Sequence, residues 1–230
     1  MRDAAFWRTP MDGEHLGRRE RKKLETGRRI YREAMELFRE KGFNATTIDE
    51  IAREADVAKG TVFNYFPQKT AFLTTSYQIW FARMMEDLGP VGSWKGSVVS
   101  QFSRVFDYLT ELTVEHRALS RLVIFESMRQ AHLRLDRRMR ERQESAVSGA
   151  ERAPEEEGIL LLESVFRDIL NKGKASAEIR GEVGEDHAAS LIAGMAFQTL
   201  VRGLVKGSSV GEMQRAMKAK LDIIITGLAP

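Results

Sequence analysis

From about residue 19 onward the apolar residues of this chain return at intervals of three and four, with hardly any alternation of apolar and polar positions. That spacing lines side chains along one stripe of a helix and does not build a half-buried strand. Ile30, Ala34, Leu37 and Phe38 fall at i, i+4, i+7 and i+8, and Phe102, Val105, Phe106, Leu109 and Leu112 form a second stripe of the same kind. The expected fold is all-α: a small N-terminal three-helix head with a helix-turn-helix, followed by a larger helical body.

Breaks in the pattern set the expected divisions. Residues 1–17 contain Pro10, Gly13 and Gly17, show no periodicity, and read as a flexible arm. A helix is expected over 19–41, ended by Gly42 as a left-handed cap with Phe43 packing back. Thr47-Ile48-Asp49-Glu50 has the form of a capping box. It opens a short helix with Ile48, Ile51, Ala52 and Ala55 on one side, which breaks at Asp56-Val57. A third helix is expected over 58–66, stopped by Pro67. A long fourth helix over 68–88 turns Phe72, Ile79, Trp80 and Met84 inward, and 89–96, with three Gly and a Pro, is a loop. Leu119, Leu122, Val123 and 125–128 belong to a further helix. The strongly polar run 130–158 reads as a partly mobile connection, and helices resume over 159–171, 185–206 and 209–227. The head is thus expected at 18–67 and the body at 68–230.

Charge singles out the head. The net charge of the chain is only +3, but residues 18–70 hold 13 Lys/Arg against 9 Asp/Glu, while 71–230 balance at 21 of each. An excess confined to one segment is the footprint of a small phosphate-contacting module on a neutral body, although a charged, solvated helix gives the same count. There is no cysteine, so disulfides and thiolate metal sites are excluded. No uninterrupted apolar run has the length of a membrane span and the first residues lack a signal-type apolar segment, so a cytoplasmic protein without a membrane partner is expected.

Residues 48–66 meet the physical requirements of a helix-turn-helix, in which a short helix braces a second one lying in the major groove. Val57 lies in the turn, where an apolar side chain fills the angle, and Val62 and Phe66, four apart, can face inward with it. Lys59, Gly60, Phe63 and Asn64 are left on the opposite face. Gly60 allows close approach to a base edge, and Lys59 and Asn64 supply donors. Thr61, Tyr65 and Lys69 flank that face and suit phosphate oxygens; Lys69 also lies near the start of the fourth helix, whose amides favour an anion. The preceding cluster Arg18, Arg19, Arg21, Lys22 and Lys23 is either an arm adding phosphate or minor-groove contacts or a solvated helix start.

The run 40–73 resembles the DNA-binding head of the TetR/AcrR regulators. The resemblance rests on Gly42-Phe43, Ala45-Thr46-Thr47, Ile51-Ala52, Val57, Lys59-Gly60-Thr61, Tyr65-Phe66-Pro67 and Lys69, and covers roughly residues 26–73, about a fifth of the chain. It implies that Lys59, Gly60, Thr61 and Asn64 read the groove, and that Thr47, Tyr65 and Lys69 hold phosphates. Three positions depart from the pattern. Phe63 stands where Tyr is frequent, exchanging a hydroxyl contact for an apolar one with a thymine methyl. Ala58 replaces a Ser or Thr cap, at a cost of about 0.5–2 kcal/mol, and Asp56 stands where Gly is common.

For the body the resemblance implies a homodimer joined through the last two helices and a small-molecule effector whose binding releases a pseudo-palindromic operator, most often as a repressor. Ala189, Ala193, Gly194 and Ala196 are small enough for a close helix contact, and Met213, Met217, Leu221, Ile224 and Leu228 form a stripe. These are the expected dimer interface, with the protomer's own core as the alternative. Phe102, Phe106, Leu109, Phe125, Met128 and Phe166 are the expected lining of an effector pocket, with Tyr108 or Glu126 as a polar anchor. Simple core is the alternative there, with Glu126 paired to Arg121 or Arg129. No cofactor, metal site or catalytic residue is expected. The four His are scattered, His132 and Asp136 lie in a polar stretch, and nucleophile elbow, phosphate loop and dinucleotide fingerprint are all missing. A helical scaffold dimer without DNA binding is the remaining reading, and the intact polar face at 59–69 speaks against it.

Overall fold

The computed structural model describes residues 17–141 and 154–229. Among these there is no strand; the chain forms nine α-helices: α1 (Arg18–Lys41), α2 (Ile48–Glu54), α3 (Lys59–Tyr65), α4 (Ala71–Leu88), α5 (Val98–Glu115), α6 (Arg117–Glu141), α7 (Pro154–Ala175), α8 (Glu185–Lys206) and α9 (Val210–Leu228), with a 3-10 turn at Val91–Ser93. They cluster into two compact units, one of Met1–Arg83 with Arg121–Glu157 and one of Met84–Ser120 with Gly158–Pro230. The arm expected over 1–17 lies outside the described residues except for Gly17.

The first unit is organised by aromatic rings. Ile30, Ala34, Leu37 and Phe38 of α1 are buried, as their spacing predicts, and Tyr31 is buried beside them. Phe66 stacks on Phe72 with ring centres 4.0 Å apart, and Phe72 meets Phe38 edge-on at 5.7 Å. Tyr31 lies 6.3 Å from both Phe66 and Phe72, and its hydroxyl hydrogen-bonds Ser76. Burial raises the phenol pKa and keeps it neutral. Phe43 returns onto Phe38 at 4.8 Å, as expected. The Gly42 that makes this possible has φ 86° but ψ 156°, so it takes an extended glycine conformation and not the left-handed cap.

In the second unit α9 packs against both α5 and α8. Phe102, Phe106 and Phe166 meet at 5.3–6.2 Å in its core. Lys172 ties α7 to the 3-10 turn by donating to the carbonyls of Val91 (2.9 Å) and Trp94 (2.7 Å). The buried Trp94 spends its indole N–H on Leu88 and Gly89.

Two expectations need correction. The polar run from 130 is helical to Glu141 and helix resumes at Pro154, because 130–141 holds Leu, Met, Arg and Glu, good helix formers, and neither Gly nor Pro. Residues 142–153 of the expected connection lie outside the described residues. The expected interface residues Ala189, Ala193, Met213, Met217 and Leu221 are 0–1% exposed within the protomer and so lie in its own core, the alternative their spacing left open. They belong to the packed pair α8 and α9, where Met213 lies against Gly203; of the other expected interface residues Ala196 is buried, Ile224 and Leu228 are half-buried and Gly194 is exposed. Among the described residues α8 alone is long and apolar enough to cross a membrane by length and composition; polar residues interrupt its apolar run, as expected, and half of that stretch is buried inside the protein.

Candidate nucleic-acid interface

The interface is built on α2 and α3. Thr47 caps α2 by accepting from the amide of Glu50 (3.2 Å), while the Glu50 carboxylate accepts from the amide of Thr47 (2.9 Å). The same carboxylate takes Lys41 at 2.5 Å. Lys41, then the Thr47 amide and hydroxyl, hold its pKa down at about 2. α2 is thus fixed at its start, with Ile51, Ala52 and Ala55 buried beneath it.

The turn into α3 is made by Asp56 at φ 49°, a left-handed position that Asp tolerates. The Val57 amide bonds the Ala52 carbonyl at 2.9 Å, closing the angle between the helices. Ala58 precedes α3 without a side-chain cap, as its lack of a polar atom requires. Within α3 Val62 is fully buried, with Phe66 buried just beyond it, while Lys59, Gly60, Phe63 and Asn64 are exposed and Thr61 and Tyr65 half-buried. Phe63 shows 42% of its surface, an unusual position for an aromatic ring amid polar neighbours. The Lys59 ammonium rests on Asp49 at 2.8 Å, a solvent-screened pair with both side chains more than half exposed.

Two contacts were not announced by the sequence. Gly27 of α1 lies against the Tyr65 ring: a Cβ there would come within 3.1 Å of it. The only sequence signal was a glycine in mid-helix, which costs about 1 kcal/mol relative to Ala and so calls for a packing reason. Lys69 donates to the carbonyls of Phe43 (2.7 Å) and Thr46 (2.9 Å), with a longer contact to Asn44 (3.4 Å), and sits 4.6 Å from the centre of the Phe43 ring. Partial burial lowers its pKa. The residue expected at a phosphate therefore braces the α1–α2 loop that leads to Thr47. From α6, Arg129 joins the same loop, donating to the Asn44 side chain at 2.6 Å while Glu126 grips its guanidinium at 3.0 Å. The pairing of Glu126 with Arg129 is the alternative its sequence context offered.

The residues expected at an effector site fall in both units. Phe102, Phe106 and Phe166 form the buried aromatic cluster of the second unit, with Leu109 half-buried. Phe125, Glu126 and Met128 belong to the first unit, where Met128 is exposed. Tyr108 donates to Asp87 at 2.8 Å. Among the described residues no group of acidic or His side chains is arranged to hold a metal ion.

A capped helix bracing a second whose outward face is polar, across a turn closed by a buried seam, defines a helix-turn-helix head. Residues 30–74 match the family described as bacterial regulatory proteins, tetR family. An HTH-type transcriptional regulator of Bacillus subtilis, YuxN, is 28% identical over 88 residues, 38% of this chain and 30% of that protein. The chain spans less than a third of the length of the curated relatives it matches. FadR of Thermus thermophilus, a TetR family transcriptional repressor solved in complex with lauroyl-CoA, has a similar fold, with 23% identity over 89% of this chain and 95% of that one and a TM-score of 0.67. FadR of Bacillus subtilis, solved with stearoyl-CoA, gives 19% identity over 87% and 98% and a TM-score of 0.61. Residues 30–74 thus carry the segment that defines the tetR family, and the chain shares the fold of these TetR-type regulators.

Proposed function

We propose that the chain is a homodimeric, ligand-responsive transcriptional repressor, with residues 18–67 binding DNA and 68–230 binding effector and partner. The observation that carries this is the outward face of α3. Lys59, Gly60, Phe63 and Asn64 are exposed together on a helix held rigidly from behind by Val62 and Phe66. On this reading they face base edges, and Thr47, Thr61 and Tyr65 contact phosphates on either side. Lys69 acts by positioning Thr47.

A recognition helix of this size reads a short half-site, and a two-fold dimer with heads about 34 Å apart reads a pseudo-palindrome. The dimer surface is proposed on the outward faces of α8 and α9, where Leu191, Val205 and Ile223 are 59–75% exposed. The effector is proposed in the second unit beside α5, lined by the half-buried Leu109 and by Phe102, Phe106 and Phe166, whose closed cluster must part to admit it. Long-chain acyl-CoA thioesters are the first effectors to test, since two proteins of similar fold hold them.

The experiment is a fluorescence-anisotropy titration of the chain against duplex DNA selected by it from a random library and against a scrambled duplex. A preference of about a thousandfold or more, within the range of specific binders, abolished in Lys59→Ala/Tyr65→Ala and relieved by lauroyl-CoA, supports the proposal. Equal weak binding to both duplexes refutes it.

A further inference from the structure

The inward row of α1 changes character along its length. Arg19, Lys23, Gly27 and Tyr31 follow one another at intervals of four, so they form a single ridge. Tyr31 reaches the ring of Phe66 and Gly27 lies on the ring of Tyr65, the last residue of the recognition helix. Upstream of that contact the ridge runs past the apolar core, whose first buried member on α1 is Ile30. Lys23 and Arg19 follow, exposed, about 6 and 12 Å further along the axis at 1.5 Å per residue. Arg18, Arg21 and Lys22 are exposed beside them, and residues 18–29 hold seven basic against two acidic side chains.

We propose that this basic ridge is a second DNA-binding surface, which holds backbone phosphates of the duplex beyond the end of the recognition helix. The inference rests on the proposed function for the identity of the polyanion. Long cationic side chains past the groove-reading face suit phosphate oxygens and carry no base information. Cations at the start of a helix oppose its dipole, so the segment is stabilised when an anion covers it. Gly27 sets the alignment, since the ridge lies against Tyr65 only where a side chain is missing.

The test is the salt dependence of binding to a scrambled duplex, where only phosphate contacts count. Each phosphate neutralised adds about 0.9 to the slope of log K against log salt. Arg19→Gln/Lys23→Gln should therefore lower the slope by about 2 per bound head, while a preference of the chain for its selected duplex persists. Glutamine keeps the helix propensity, and circular dichroism checks it. Lys206→Gln/Lys218→Gln, with the same charge change on exposed residues of the second unit, should leave the slope unchanged. A slope unaltered in the α1 variant, or altered equally in the control, overturns the inference. Loss of preference in the unmodified chain counts against the proposed function alone, since the slopes still decide the ridge.

Discussion

Replacing Lys69 by Met separates a bracing role from a phosphate contact. The ammonium makes two good hydrogen bonds to carbonyls, at 2.7 and 2.9 Å, and a third contact at 3.4 Å. Hydrogen bonds to a charged group contribute about 1.5–3 kcal/mol each. The gross value of the two good ones, roughly 3–6 kcal/mol on the same scale, is offset by desolvation of the ammonium, which the lowered pKa registers, and by water that reaches the vacated carbonyls. A net loss of about 2 kcal/mol for opening of the α1–α2 loop follows from that range. At 1.36 kcal/mol per factor of ten, exchange of the amides from Phe43 to Glu50 should quicken roughly 30-fold. Hydrogen-exchange mass spectrometry on peptides from this loop, with peptides of α9 as internal reference, reads that number. Lys69→Arg, which keeps the charge and can reach two carbonyls, should restore most of the protection. If Lys69→Met leaves exchange unchanged in the free protein and weakens only DNA binding, the bracing argument is wrong and Lys69 is a phosphate contact.

Three further outcomes are expected. The Lys41 and Thr47 contacts hold the Glu50 carboxyl down at about 2 in the folded head, against 4.5 for a free one; the unfolded chain takes up its proton first, so this contribution to stability is present above about 4.5 and fades as pH falls towards 2. Glu50→Gln should flatten the acid limb of urea midpoints recorded from pH 6 to 3. Gly27→Leu should displace Tyr65 and lower DNA affinity about tenfold, one hydrogen-bond's worth, with the circular-dichroism melting curve nearly unchanged; unaltered affinity would remove Tyr65 from the interface. Gly173→Ala places a Cβ 2.5 Å from Val98 and 2.8 Å from Ile179, both buried and β-branched. Overpacking of about 1–3 kcal/mol should exceed the roughly 1 kcal/mol gain in helix propensity, so chemical denaturation should show a less stable variant.

The sequence by itself determined the local architecture of the head, because the determining interactions are close in the chain. The Thr47–Glu50 box spans four residues, Pro67 limits α3 by its own ring, and the spacing of Val62 and Phe66 settles which face of α3 turns outward. It determined the all-helical body for the same reason, through periodicity. Three things belonged to the tertiary structure. Which face of α8 and α9 is buried was ambiguous, since Met213, Met217 and Leu221 make as good an interface stripe as a core stripe until the neighbouring helix is in place. The partners of Lys69 lie 23–26 residues away and are backbone carbonyls, which no side-chain pattern announces. Nothing near Gly27 in the chain accounts for a glycine in mid-helix; the Tyr65 ring, 38 positions later, occupies the space its missing side chain leaves. Helical spacing is written residue by residue along a chain, whereas complementarity between distant surfaces exists only once the chain has folded.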